Sequence, residues 1–280
     1  MAYKIERVYN EFSWVATLSA RDHFEERAAE HGGIEINFDN SASVAMNSGG
    51  TELVLLPGEI AAFNGRIEHT EHHKNANHKE KALILQDKYL ETFFANDRYY
   101  ESILQTPILI QDERILRLAR TFHEISHLPF FPRLVAEHFA DELLLGLLDR
   151  SETQFSNPIG YYPMLAKRIK RRLFASLEDA NLDLNELALE FGMSKFHFLR
   201  CFRDTTGVTP MKYLRRFRAE WIACRLLKEK KPVTQIAFEG GFNSLSSFYQ
   251  SFSQVTQLAP ASFIQKINDM PSPVAVFEFA

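Results

Sequence analysis

LNELALEFGMSKFHFLRCFRDTTGVTP (184–210) and VTQIAFEGGFNSLSSFYQSFSQVTQLAP (233–260) are two copies of one unit, the second longer by one residue in its turn. Laid over each other they match Ala188 with Ala237, Gly192 with Gly241, Phe198 with Phe248, Phe202 with Phe252 and Pro210 with Pro260. In the first copy Asp183 and Glu186 stand at capping-box spacing ahead of Leu184, Leu187, Ala188 and Phe191, and Gly192 supplies the left-handed residue that ends a helix. Ser194 caps the next helix, whose Phe198, Cys201 and Phe202 fall at i, i+3 and i+4 and form one buried face. In the second copy Ser244 takes the cap, and Phe248, Ser251, Phe252 and Val255 form the inner stripe.

A helix, a short glycine-bearing turn and a second helix with polar residues facing out is a helix-turn-helix pattern, whose second helix enters the DNA major groove. Between the copies, Thr209-Pro210 is a cap followed by a proline start, and neither Pro nor Gly interrupts Met211 to Lys231. One continuous helix of about 30 Å follows, close to the roughly 34 Å of one turn of B-DNA. A single chain could then place two reading helices in successive major grooves.

Leu165 to Lys266 resembles the DNA-binding domain of the AraC/XylS family of bacterial transcription regulators. The doubled motif, the long connecting helix, the Arg203-Asp-Thr-Thr-Gly-Val-Thr-Pro210 segment and Gly240-Gly-Phe followed by Ser244-x-x-x-Phe-x-x-x-Phe carry the resemblance. Two departures stand out: Thr256-Gln257 replaces a common glycine, and Leu199 takes a base-facing position often held by a polar residue. The base-reading candidates are Phe196, Leu199 and Arg200 in the first unit and Ser246, Tyr249 and Gln250 in the second. Lys195, Arg203, Thr209 and Lys212 are the phosphate candidates.

Charge agrees with this division. Residues 161–280 carry 17 Lys and Arg against 11 Asp and Glu, whereas residues 1–160 carry 15 against 25, which together give the net charge of −4. A basic half suits phosphate binding, and an acidic half does not lie on DNA. The first helix of the basic half, expected over Met164 to Asn181 with Leu165, Ile169, Leu173 and Leu177 inward, bears Lys167, Arg168, Lys170, Arg171 and Arg172 as a phosphate-facing flank or a solvated face. Cys201 and Cys224 are the only cysteines, so there is no disulfide framework. Met1 to Ala20 is broken by Lys4, Glu6, Arg7 and Glu11 and does not read as a signal peptide, and no stretch has the length of a membrane span. The expectation is a cytoplasmic protein without a membrane partner.

Short runs fill the acidic half: Gly33 to Phe38, Ala42 to Met46, Glu52 to Leu56, Ile60 to Asn64, Ile67 to His72 and Lys81 to Gln86, separated by turn residues. They predict a small antiparallel barrel or sandwich. Leu56-Pro-Gly-Glu59 followed by Asn64-Gly65 and His69 resembles the strand-turn-strand passage of cupins, the barrel common in the amino-terminal domain of AraC-like regulators. His69, Glu71, His72 and His73, with His78 nearby, are metal-ligand types. Strand alternation, however, sets His72 on the opposite face from His69 and His73. The expectation is no metal and no cofactor, with His69 at the mouth of an effector pocket.

Two amphipathic helices follow, Asp112 to His127 and Leu134 to Leu148, joined through Pro129 and Pro132. The resemblance implies a dimerisation hairpin, in which Leu143, Leu144 and Leu147 form a homodimer interface or else pack on the barrel. The organisation expected is thus a sensing and dimerisation domain over 1–150, a linker over 151–163, a DNA-binding domain over 164–268 and a tail over 269–280 that is loose unless Val274-Ala-Val-Phe277 packs on the rest of the chain. The fold class is mixed: a cupin-like antiparallel β-barrel with a helical hairpin, then an all-α domain. The function implied is a sequence-specific regulator binding double-stranded promoter DNA and RNA polymerase under a small-molecule effector, with no enzymatic activity. The other readings are a cupin metalloenzyme fused to a DNA-binding module and an architectural DNA-binding protein.

Overall fold

The computed structural model describes residues 3–11, 13–20, 24–28, 31–73, 78–95, 98–150, 161–271 and 273–279. The chain forms two compact units. The first comprises residues 1–128, 139–159 and 272–280, and the second residues 129–138 and 160–271.

The first unit is built from β1 (Tyr3–Tyr9), β2 (Ser13–Ala20), β3 (Phe24–Ala28), β4 (Ile34–Phe38), β5 (Val44–Ser48), β6 (Thr51–Leu55), β7 (Ile60–Asn64), β8 (His69–His73), β9 (His78–Leu85), α1 (Asp87–Phe93), β10 (Ile108–Ile110), α2 (Glu113–Ser126) and most of α3 (Arg133–Leu148). One sheet runs β10-β7-β4-β9-β2-β1 and a smaller one β3-β8-β5-β6, with every pairing antiparallel. Val44, Met46 and Leu55 of the smaller sheet close on Ala61 and Phe63 of the larger, so the sheets pack face to face. The mixed fold class is therefore present, with an antiparallel β region ahead of an all-α region. Strands β4 to β9 follow the runs anticipated from alternation. Strands β1 to β3 and β10 lie outside those runs.

Asp112 caps α2 by accepting from the backbone N–H groups of Arg114 and Ile115, as its place before the apolar run requires. In α3, Leu143, Leu144 and Leu147 are each fully buried within the chain. These leucines offer no exposed area to a second copy.

In the tail, Ala275–Phe279 forms β11, which pairs with β1 from Tyr3 opposite Phe279 to Arg7 opposite Ala275 and extends the larger sheet to seven strands. Of the two expectations for this tail, packing of the run around Val274 to Phe277 is the one realised, as an edge strand, because β1 offers an unpaired ladder that a short β-branched and aromatic run can satisfy. Of the expected linker, residues 151–160 lie outside the described residues, and 161–163 open the next helix.

The second unit contains α4 (Tyr161–Ala175), α5 (Leu184–Glu190), α6 (Lys195–Thr206), α7 (Pro210–Lys228), α8 (Val233–Glu239), α9 (Leu245–Thr256) and α10 (Pro260–Asn268). It also takes in residues 129–138, which lie inside the 1–150 domain expected from sequence. His138 stacks on Phe174 with ring centroids 3.8 Å apart and meets Phe217 edge-on, and Phe130 meets Phe263 edge-on, so aromatic packing holds this segment. No helix among the described residues is long and apolar enough to cross a membrane.

Candidate nucleic-acid interface

Both helix-turn-helix units form by the local chemistry that their sequences specify. Asp183 caps α5 by accepting from Asn185 and Glu186, and Gly192 adopts φ +66° just beyond the end of that helix. Ser194 accepts from His197 N–H and Ser244 from Ser247 N–H, which fixes where α6 and α9 begin. Their inner stripes are buried: Phe198, Cys201 and Phe202 in one, Phe248, Ser251 and Phe252 in the other. The ends are duplicates too. Thr206 Oγ1 lies 2.7 Å from the Phe202 carbonyl oxygen, and Thr256 Oγ1 lies 2.9 Å from that of Phe252. Pro210 and Pro260 then start the following helices.

Helix α7 has 19 residues and spans about 28 Å, ending at Lys228, three residues before the Lys231 end of the expected stretch. Its two halves serve different cores. Tyr213 meets Phe202 and Phe217 meets Phe174, whereas Ile222, Ala223 and Leu226 join Ile236, Ala237, Phe248, Phe252 and Phe263. Arg218 is buried on the same helix and donates to the carbonyl oxygens of Leu177 (2.7 Å), Ser176 (3.2 Å) and Asp179 (2.6 Å), closing the chain just past α4. Gly241, at φ +81°, packs so closely that a Cβ there would lie 2.3 Å from the Leu177 oxygen and 2.8 Å from Arg218 Nε.

The outward faces of α6 and α9 carry the expected base-reading side chains at matching positions. Phe196 is 85 % exposed, Arg200, Ser246, Tyr249 and Gln250 are exposed, and Leu199 is half-buried. An exposed phenylalanine of that degree, with exposed Leu189 and Phe238 at equivalent places on α5 and α8, marks a surface that is apolar for a basic domain. Lys195, Arg200, Arg203 and Lys212 are exposed and meet no carboxylate within ion-pairing distance among the described residues. Other cations of the domain are engaged: Arg172 with Glu190, Lys170 with Glu137, Arg225 with Glu229 and Glu239, and Lys231 with Glu229 and Glu239. The α4 cluster is therefore partly internal. Thr209 spends its hydroxyl as the cap of α7, accepting from Lys212 N–H, so the helix start rather than a free side chain is what it can offer an anion.

The expected effector residue lies elsewhere. His69 is buried between the sheets, with Nε2 3.2 Å from Glu35 Oε2. His31 Nε2 lies 2.7 Å from the same oxygen. His72 faces the opposite side of β8 and helps line an outer groove of about 720 Å³ with Ala45, Asn47, Glu52, Val54 and Thr70. Glu71 is buried and accepts from Asn37 Nδ2, and His78 is buried at the start of β9 beside Glu80. The His73 side chain lies outside the described residues. His69 is thus interior rather than at a pocket mouth, and the group that converges is His31, Glu35 and His69, whose ligand atoms all lie within 4.8 Å of one another. Burial opposes charge on Glu35, yet the His31 hydrogen bond and the charges of His31 and His69 outweigh it and lower its pKa. Burial likewise opposes charge on His69, and the Glu35 carboxylate outweighs that and raises it. Sequence inspection missed His31 and Glu35 because neither belongs to a histidine-rich run.

Two helix-turn-helix units in register, with one pair of matching outward faces, define a DNA-binding domain of the double helix-turn-helix class. Residues 187–266 match the family described as helix-turn-helix domain. The chain is 33% identical over 85 residues to the transposon Tn10 TetD protein of Escherichia coli, covering 30% of this chain and 62% of that one. It is 27% identical over 144 residues to a Streptomyces antibioticus protein described as an AraC-like transcription regulator, covering 50% and 48%. Among solved structures, fatty acid-bound ToxT of Vibrio cholerae aligns with 91% of this chain and 95% of its own at 14% identity and a TM-score of 0.38, too low a likeness to bear on function. The aligned regions span less than two thirds of these curated relatives. The C-terminal part of this chain carries an AraC-type helix-turn-helix domain.

Proposed function

We propose that the chain is a sequence-specific transcription regulator that lays α6 and α9 in successive major grooves of promoter DNA, under control of a small molecule held by its N-terminal unit. The single observation that carries the reading is the matched outward faces of the two duplicated helices, aligned as Phe196 with Ser246, Leu199 with Tyr249 and Arg200 with Gln250. In this reading Arg200 pairs with guanine O6 and N7, Gln250 with adenine N6 and N7, and Phe196 and Leu199 touch thymine methyl groups. Ser246 and Tyr249 complete the second reading face. Lys195, Arg203 and Lys212 hold phosphates, with the Thr209 end of α7 beside them. RNA polymerase is the partner on DNA. Homodimerisation, if regulation uses it, draws on a surface other than the buried leucines of α3. An effector switches such a protein only through unequal affinity for two states.

Selection of binding sites from random duplex DNA with the full chain tests the reading. The expected result is a motif with two half-elements about 10 base pairs apart. Arg200→Ala is expected to lose roughly 1–3 kcal/mol of preference at one base pair and to leave the other positions unchanged. Enrichment without a motif would make the protein architectural, and a uniform loss on every sequence would place Arg200 on a phosphate.

A further inference from the structure

We infer that His31, Glu35 and His69 form a binding site for one divalent first-row transition-metal ion, of the zinc or ferrous type. The donor set is two imidazoles and one carboxylate, which suits these ions and not calcium or magnesium, whose sites are built from oxygen ligands. Metal–ligand lengths of about 2.0–2.1 Å place neighbouring donors of a tetrahedral ion roughly 3.3 Å apart. His31 Nε2 and His69 Nε2 lie 2.7 and 3.2 Å from the same Glu35 oxygen, near that spacing before any ion draws them to itself.

The orientation of the buried imidazole is an independent pointer. His69 Nδ1 lies 3.0 Å from the Ile67 carbonyl oxygen, so the ring donates there and turns Nε2 toward Glu35. An outer bond of this kind, from the far ring nitrogen to a carbonyl, is how proteins orient metal-bound histidines. Nε2 itself is buried and makes no aligned hydrogen bond, despite its short distance to the carboxylate. A buried ring atom held toward the site without a bond to complete it has a lone pair to give once its proton leaves.

The three donors are also held by separate parts of the first unit. Glu35 is on β4 of the larger sheet and His69 on β8 of the smaller. His31 precedes β4, its N–H donating to the Gly65 carbonyl at 3.0 Å, while Gly65 N–H donates to that of Gly33 at 2.9 Å. Its ring fills the space over Gly65, where a Cβ would come within 2.1 Å of it. The neighbouring carboxylate Glu71 is engaged by Asn37 and is not needed as a ligand. The His31 side chain is 21 % exposed, which gives an ion a route from solvent. Three protein ligands leave a fourth position for water or for a donor atom of a small molecule.

The test uses the full chain, stripped with a chelator and titrated with Co²⁺ alone, read by visible d–d absorption, followed by displacement with Zn²⁺. One equivalent of Co²⁺ bound with intense bands and released by Zn²⁺ is expected. His31→Ala, at the partly exposed ligand, is expected to weaken binding by more than the roughly 10–100-fold that loss of an outer-shell partner costs. His72→Ala, on the opposite face of β8, is expected to bind as the parent does. Circular dichroism of each variant separates lost binding from lost folding, and His69→Gln provides a second ligand variant of similar volume. Absence of a Co²⁺ spectrum, or a spectrum that survives in both folded ligand variants, overturns the assignment and leaves the trio a buried hydrogen-bonded ion pair. No DNA is present, so the outcome is independent of the reading proposed for α6 and α9.

Discussion

Gln257 stands where the first unit has Gly207, and both hold the left-handed conformation just past a reading helix, at φ +61° and φ +75°. The chain needs that conformation to turn from α9 into the proline that opens α10, as it turns from α6 into α7. For a residue with a Cβ the left-handed region costs about 1 kcal/mol or more, whereas glycine enters it freely. The Gln257 side chain returns part of this by donating to the Gln254 carbonyl at 3.0 Å, an exposed bond of small net value. Gln257→Gly is therefore expected to stabilise the second unit by roughly 1 kcal/mol, seen as a higher urea midpoint at unchanged slope. A lower midpoint would mean that the side-chain bond outweighs the backbone strain. The caps at Asp183, Ser194, Thr209 and Ser244 were legible because a cap is chemistry between near neighbours. Arg218 was not: an arginine in a helical run gives no sign that it turns inward to three carbonyls some forty residues away.

Helix α7 shows the same limit at the scale of an element. Its extent is written in Thr209-Pro210 and in the lack of breakers, but Arg218 and Glu220, one turn or less apart, are both buried and blur its periodicity. Glu220 accepts from the backbone N–H groups of Leu134 (2.6 Å) and Val135 (3.2 Å), so it caps the first turn of α3 from a distant segment. Burial pushes its carboxyl up to about 7, against the pull of those two N–H groups and Arg216. A carboxyl raised in the folded state binds its proton more tightly there than in the unfolded chain. Its contribution is thus fully present below the unfolded value of 4.5 and is lost as pH rises to about 7. The loss is at most about 3 kcal/mol across that window. Chemical denaturation of Glu220→Gln between pH 5 and pH 8 is expected to show a flatter stability profile than the parent, since the amide oxygen still accepts from the α3 N–H groups and has nothing to ionise. Parallel profiles for the two proteins would show that Glu220 keeps an ordinary pKa.

For the molecule as a whole, the return of the last residues to the first strand matters most. Antiparallel pairing of β11 with β1 joins residues 275–279 to residues 3–7. Ending the chain at Pro271 would remove the edge strand and bare the β1 ladder. Hydrogen exchange is then expected to speed up at the β1 amides that face β11 and to stay slow at those facing β2, while α5 to α9 keep their protection. Unchanged exchange in β1 would mean that β11 contributes nothing to this edge in solution. By itself the sequence determined the two helix-turn-helix units, the long helix between them, the residues on their outward faces and strands β4 to β9. Each of these rests on spacings of one to four residues or on caps and turns. Tertiary structure alone decided that β11 finds β1, that Glu220 caps α3, that Leu143, Leu144 and Leu147 are wholly covered, and that His69 meets His31 and Glu35 rather than His72. These contacts join residues from different elements, and the periodicity of one strand or helix says which face turns inward but not what it will meet there.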